Sequence, residues 1–143
     1  MSPRLTTDEI LLLLQNGKEI DEIEINWRLR PLLKEYLRSL LKASNYKCLK
    51  ELAARACIDP HYLSMIMRGV RAPGRDTLLS LAFALGLNIE NTQRLLTIGE
   101  RNILYTRVRR DAIIIYCLIH KLSLDEAEDK LAAAGERRIS HGF

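Results

Sequence analysis

Side chains able to do acid–base, nucleophilic or metal chemistry are few and scattered in this 143-residue chain. The three histidines are His61, His120 and His141, and the three cysteines are Cys48, Cys57 and Cys117. Cys57 and His61 stand four apart with Cys48 nearby, but a zinc site needs four ligands at recognised spacing and no Cys-x-x-Cys pair occurs. An odd set of three fits small buried hydrophobes in a reducing compartment. His120 sits beside an apolar helix end, where a structural role is the simpler reading. No phosphate-cradling loop, dinucleotide fingerprint, zinc-protease pair or nucleophile elbow is found, and nothing sets a nucleophile beside a base. The expectation is a protein that is not an enzyme and uses no metal or cofactor.

Positive charge is the chemistry that does concentrate. The net charge is only +4. Residues 1–30 carry four basic and six acidic side chains, and residues 76–143 carry nine of each. Residues 47–75 carry six basic side chains, Lys47, Lys50, Arg55, Arg68, Arg71 and Arg75, against Glu51 and Asp59. Such a local excess attracts a polyanion even when the whole chain is mildly basic, the alternative being a solvated face.

Helices must hold these groups, because Leu, Ile and Ala dominate and aromatics are only 6%. The length suits one domain, or one with an appendage, with a core large enough to need no staples. A first helix is predicted from Thr6, which has capping-box spacing to Glu9, through Ile10, Leu11, Leu13 and Leu14 to Gly17. The acidic stretch Lys18–Asn26 reads as a linker or a short helix. A second helix runs from Pro31 to Ala43, with Leu33, Leu37, Leu40 and Leu41 inward and Lys34, Arg38 and Lys42 outward. The third spans Leu49–Ala56. Asp59 as N-cap and Pro60 at the first position open a fourth, which stops at Gly69. The fifth runs from Arg75 to Leu85 and ends at Gly86.

An internal repeat follows. Asp76-Thr77-Leu78-Leu79 aligns with Asp111-Ala112-Ile113-Ile114, and Leu87-Asn88-Ile89-Glu90 with Leu122-Ser123-Leu124-Asp125, with Arg75 matching Arg110. Each copy reads as helix, turn, N-cap (Asn88 or Ser123) and helix, closed by Gly99 or Gly135, so an αα-hairpin is used twice. The second hairpin, Thr106–Gly135, is expected to pack on the core or on a partner, because Ile113, Ile114, Ile115, Leu118 and Ile119 make its first helix apolar over a wide arc. Arg107, Arg109 and Arg110 read as phosphate contacts or as ion pairs with Asp125, Glu128 and Asp129, the second being preferred. The chain divides into an N-terminal helix and linker (1–30), a central domain (31–100) and a C-terminal hairpin and tail (101–143). No apolar run nears the roughly 20 residues of a membrane span, and MSPRLTTDEI lacks the regions of a secretory signal. A cytoplasmic protein with no membrane partner is expected.

Residues 49–69 read LKELAARACIDPHYLSMIMRG. Leu52, Ala53 and Ala56 supply the inner face of one short helix, Leu63 and Ile66 that of the next, and Ala53 is small where the two must cross closely. With the loop VRAPGRDT and the helix LLSLAFALGLN, residues 31–98 resemble the lambda-repressor-like (Xre/Cro) helix-turn-helix family. The resemblance implies an all-α fold: a five-helix domain flanked by the N-terminal helix and the C-terminal αα-hairpin. It implies a sequence-specific DNA-binding transcriptional regulator whose recognition helix, about residues 60–68, enters the major groove of double-stranded DNA. Matched position by position, base contacts fall on Pro60, His61, Tyr62 and Met65, with Ser64 and Arg68 nearby. Phosphate contacts fall on Lys47, Lys50, Arg71 and Arg75. The chain departs from the family at Leu49, where Gln is frequent, and at Cys57, where Gly is frequent. A homodimer on a palindromic site is implied, its surface taken from Ile10, Leu13 and Leu14 or from the last hairpin. The alternative is a protein-interaction module that kept the fold, presenting Tyr62, Met65 and Met67 to a protein partner.

Overall fold

The structure, a computed structural model, describes residues 7–17 and 32–140. The chain divides into two compact units, one ending at Pro31 and the other beginning at Leu32. The first holds α1 (Thr7–Gln15), with Asp8 and Glu9 at its start, where acids suit the helix dipole, and Gly17 at φ 81 just past its end. Thr6, the stretch Lys18–Asn26 and Pro31 lie outside the described residues. Leu11, Leu12 and Leu14 are exposed on α1.

The second unit is built from α2 (Leu33–Ala43), α3 (Leu49–Ala56), α4 (Pro60–Met67), α5 (Arg75–Ala84), α6 (Ile89–Ile98), α7 (Arg109–Ile119) and α8 (Leu124–Ala133). No strand occurs among the described residues, so the fold is the all-α one expected. α2 buries Leu37 and rests Leu33, Tyr36, Leu40 and Leu41 on the core. Arg38 and Lys42 point to solvent as their spacing predicts, while Lys34 is half-buried. α3 packs against α4 and α5 through Leu52, Ala53 and Ala56. Ala53 and Ala56 have no exposed surface, which is the small-residue crossing the pattern called for. Tyr46, in the turn before α3, donates its hydroxyl to the Ala84 carbonyl at the end of α5, and burial raises its pKa above the usual tyrosine value.

The hairpins α5–α6 and α7–α8 repeat each other at the level of single hydrogen bonds, and Asp76 to Asp111 sets the offset at 35. Leu87 N–H bonds Ala82 O and Leu122 N–H bonds Cys117 O, while Arg101 N–H bonds Leu96 O and Glu136 N–H bonds Leu131 O. Asn88 and Ser123 cap the second helix of each copy, Ser123 within a full capping box with Glu126. Gln93 accepts from Leu104 N–H at 2.7 Å and donates to its carbonyl, and Glu128 accepts from Ile139 N–H at 2.7 Å.

Gly99 and Gly135 close the two copies as expected, but in different ways. Gly99 does not stand where Gly135 stands. Gly135 has φ 73, and its counterpart at φ 58 is Glu100. Gly99 is there for space: a Cβ on it would lie 2.5 Å from Leu78 Cδ1.

The arginines of the repeat differ from expectation. Arg110 does not reach Asp125, Glu128 or Asp129. It pairs with Asp76 of the other copy at 3.1 Å and donates to the carbonyls of Arg137 and Arg138. Arg75 does the matching thing, pairing with Asp111 at 2.8 Å and donating to the carbonyls of Asn102 and Ile103. Each copy lends its arginine to the other copy's aspartate, so the two hairpins face each other across a local pseudo-two-fold. Local spacing cannot reveal this, because it depends on how the hairpins meet.

α7 buries Ile114, Cys117 and Leu118, and burial pushes the Cys117 thiol above its usual pKa. The wide apolar arc of α7 is covered on one side only: Ile119 is 58% exposed.

Candidate nucleic-acid interface

α3 and α4 meet through a left-handed residue. Cys57 has φ 54 and ψ 44, and the next amide, Ile58 N–H, returns to Ala53 O at 2.9 Å. This reversal leads the chain into α4, with Leu63, Ile66 and Met67 buried in the core. Pro60 at the first position needs no N–H partner there. Asp59 takes the N-cap position as its spacing predicts, but its side chain makes no capping bond. Gly69 at φ 78 ends α4, with Val70 N–H bonding Met65 O at 2.9 Å.

Of the residues matched to base contacts, His61, Ser64, Met65 and Arg68 share the outer side of α4, with Pro60 and Tyr62 at its two margins and Tyr62 resting on the core. Pro60 and His61 are exposed at its start, Tyr62, Ser64 and Met65 are half-buried, and Arg68 is exposed at its end. Met67 is only 7% exposed, which removes it from any protein-docking face. Lys47 and Lys50 are exposed at the start of α3, and Arg71 is exposed in the loop after α4. Lys47, Lys50, Arg68 and Arg71 form no ion pair with a described carboxylate. The N-cap residues of α3 and α4, Cys48 and Asp59, place no side-chain acceptor on the first amides of either helix, whereas Asn88 and Ser123 do so for α6 and α8. Exposed cations beside uncapped helix starts suit anionic oxygens.

Arg75 stands apart from this set. Nε, Nη1 and Nη2 are all used inside the molecule, on the Asn102 carbonyl, Asp111, and the Ile103 carbonyl with Asp111. Lys34 is a cation that the periodicity of α2 assigned to solvent. Its chain lies over the turn after α4, with Cδ 3.1 Å from the position of a Cβ on Gly69. It therefore shares an edge with Arg68, and no local spacing signals this, since the contact joins two helices distant in sequence. Arg55, counted in the basic segment but not among the contacts, is exposed on the last turn of α3.

A groove of 960 Å³ runs past Tyr46, Arg55, Phe83, Ser123 and Asp125, and none of the buried polar side chains lines it. Among the described residues no group of three or more His, Cys, Asp or Glu is placed to hold a metal ion, and no helix is long and apolar enough to cross a membrane.

No curated protein and no solved structure matches the chain. A family model described as Helix-turn-helix matches residues 37–90, which run from within α2 to the start of α6 and include the whole of α3, α4 and α5. The turn at Cys57, the crossing at Ala53 and this match together identify residues 37–90 as a lambda-repressor-like helix-turn-helix.

Proposed function

We propose that the protein is a sequence-specific DNA-binding transcriptional regulator that inserts α4 into the major groove and acts as a homodimer. The observation that carries this reading is the set of exposed cations placed around α4. Arg75, Arg109, Arg110 and Arg137 are in ion pairs, while Lys47, Lys50, Arg68 and Arg71, which frame the outer face of α4, are not. Unneutralised cations around an exposed helix face match a polyanion whose phosphates flank a groove. Pro60, His61, Tyr62, Ser64 and Met65 then face base edges, with Tyr62 and Met65 suited to thymine methyl groups and His61 to hydrogen bonding. Lys47, Lys50 and Arg71 hold phosphates, Arg68 lies at the boundary of the two groups, and Lys34 joins the phosphate set. Arg75 supports the fold instead. The family match over residues 37–90 supports the same reading.

The test is selection from a randomised duplex library at two salt concentrations. A common motif, as an inverted repeat, is expected. Arg71→Ala should weaken binding to all sequences alike and lower the salt slope by about one. His61→Ala should instead relax the motif. Retention of no DNA at low salt would overturn the reading in favour of a protein-interaction module.

A further inference from the structure

The two copies of the hairpin differ on one face. Val108, Ala112, Ile115, Tyr116 and Ile119 are spaced so that they share one side of α7 and its entry. Val108 is 48% exposed, Tyr116 50% and Ile119 58%. Their counterparts 35 residues earlier are Pro73, Thr77, Ser80, Leu81 and Ala84. Pro73, Ser80 and Leu81 are buried and the other two are half-buried. The neighbours explain the difference. α5 packs on α6, α8 and α3, and α7 packs on α8 and α6. Among the extensive helix pairings, α3 is the one neighbour of α5 with no counterpart at α7. The bare stripe on α7 is thus the place where, in the first copy, a helix lies.

We propose that this face of α7 is a self-association surface, covered by α7 of a second copy of the chain running antiparallel. The stripe carries no charge along its length, so it can lie on its own image about a two-fold axis. Charge at its ends decides the direction. The rim beside α8 is marked by Lys130, whose ammonium lies over the Tyr116 ring, and by Arg109, which reaches Glu136 at 4.0 Å. Arg109 is at the N-terminal end of that rim, with its side chain 70% exposed, and Glu126 in the first turn of α8, one turn before Lys130 on the same side, is at the other. An antiparallel pair sets Arg109 of each copy opposite Glu126 of the other, whereas a parallel pair sets Arg109 against Arg109. The face is small: three half-exposed side chains and their neighbours cover less than the roughly 800 Å² per partner of a standard interface. The dimer is accordingly weak and reversible.

This gives the proposed homodimer its surface, and its role on DNA rests on that reading, but the association is measured without DNA. Sedimentation of the full chain from about 1 to 100 µM should show a monomer–dimer equilibrium. Ile119→Lys and Val108→Lys, on separate turns and both at exposed positions, should each keep the wild-type melting temperature and weaken the dimer roughly 30-fold or more. Arg109→Glu should weaken it too. A chain that stays monomeric across the range, or a dimer whose strength neither lysine variant changes, would overturn the proposal. Loss of DNA binding in a protein that still dimerises would overturn only the functional reading.

Discussion

Cys57 occupies a backbone conformation that L side chains resist, at φ 54. Holding a non-glycine residue there costs on the order of 1 kcal/mol. Cys57→Gly should therefore raise stability by about 0.5–1 kcal/mol, read from denaturant midpoints at unchanged slope. This position was legible through the family resemblance, which puts glycine where Cys57 stands, and glycine is the residue that adopts this conformation without strain. Gly99 shows the opposite. Its letter suggested a turn, but its φ is −78 and the left-handed conformation falls on Glu100. What Gly99 provides is room beside the fully buried Leu78. Gly99→Ala should destabilise by about 1–3 kcal/mol through overpacking, where a glycine serving only as a turn would tolerate the change. Which of two adjacent residues takes the turn depends on the depth of the neighbouring side chain, and no residue spacing records that.

At the level of elements, helix order and most boundaries follow from apolar periodicity, caps and glycines. The hairpin repeat is visible as well, since Asn88 and Ser123 recur with their aliphatic flanks. The partners of the arginines were not. Arg75 was assigned to phosphate from its place at a helix start, and its guanidinium turns inward to Asp111, whose side chain is 5% exposed. Glu128, expected to meet an arginine, accepts the amides of Ile139 and Ser140 instead. The first difference arises from a contact between the hairpins, the second from a contact between α8 and the segment that follows it. Arg75→Ala leaves a buried carboxylate without its main partner and should cost about 3 kcal/mol in thermal or denaturant unfolding. Arg71→Ala, at an exposed loop position, should change stability by less than about 0.5 kcal/mol. Equal and small losses for both would mean that the Arg75–Asp111 pair contributes little.

Among the described residues, Lys47, Lys50, Arg68 and Arg71 stand around α4 without an ion pair, and Arg75 and Arg110 tie the duplicated hairpins together. The net charge of +4 conceals this division, which the segment count of residues 47–75 brings out. The all-helical fold class and the helix order could be read from pattern, and the helix-turn-helix from its small crossing residues together with the family resemblance. The membership of the cation set could not, since Lys34 enters it and Arg75 leaves it through contacts between helices. The segments that follow α6 and α8 carry a further consequence. They are not helical, yet the amides of Leu104 and Ile139 are held by Gln93 and Glu128 over buried side chains. Releasing either amide to deuterium requires its segment to leave the helix that holds it, α6 for Leu104 and α8 for Ile139. Leu104 and Ile139 should therefore exchange as slowly as the core amides of α5, at the rate set by global unfolding, and fast exchange at both would show that the segments open on their own.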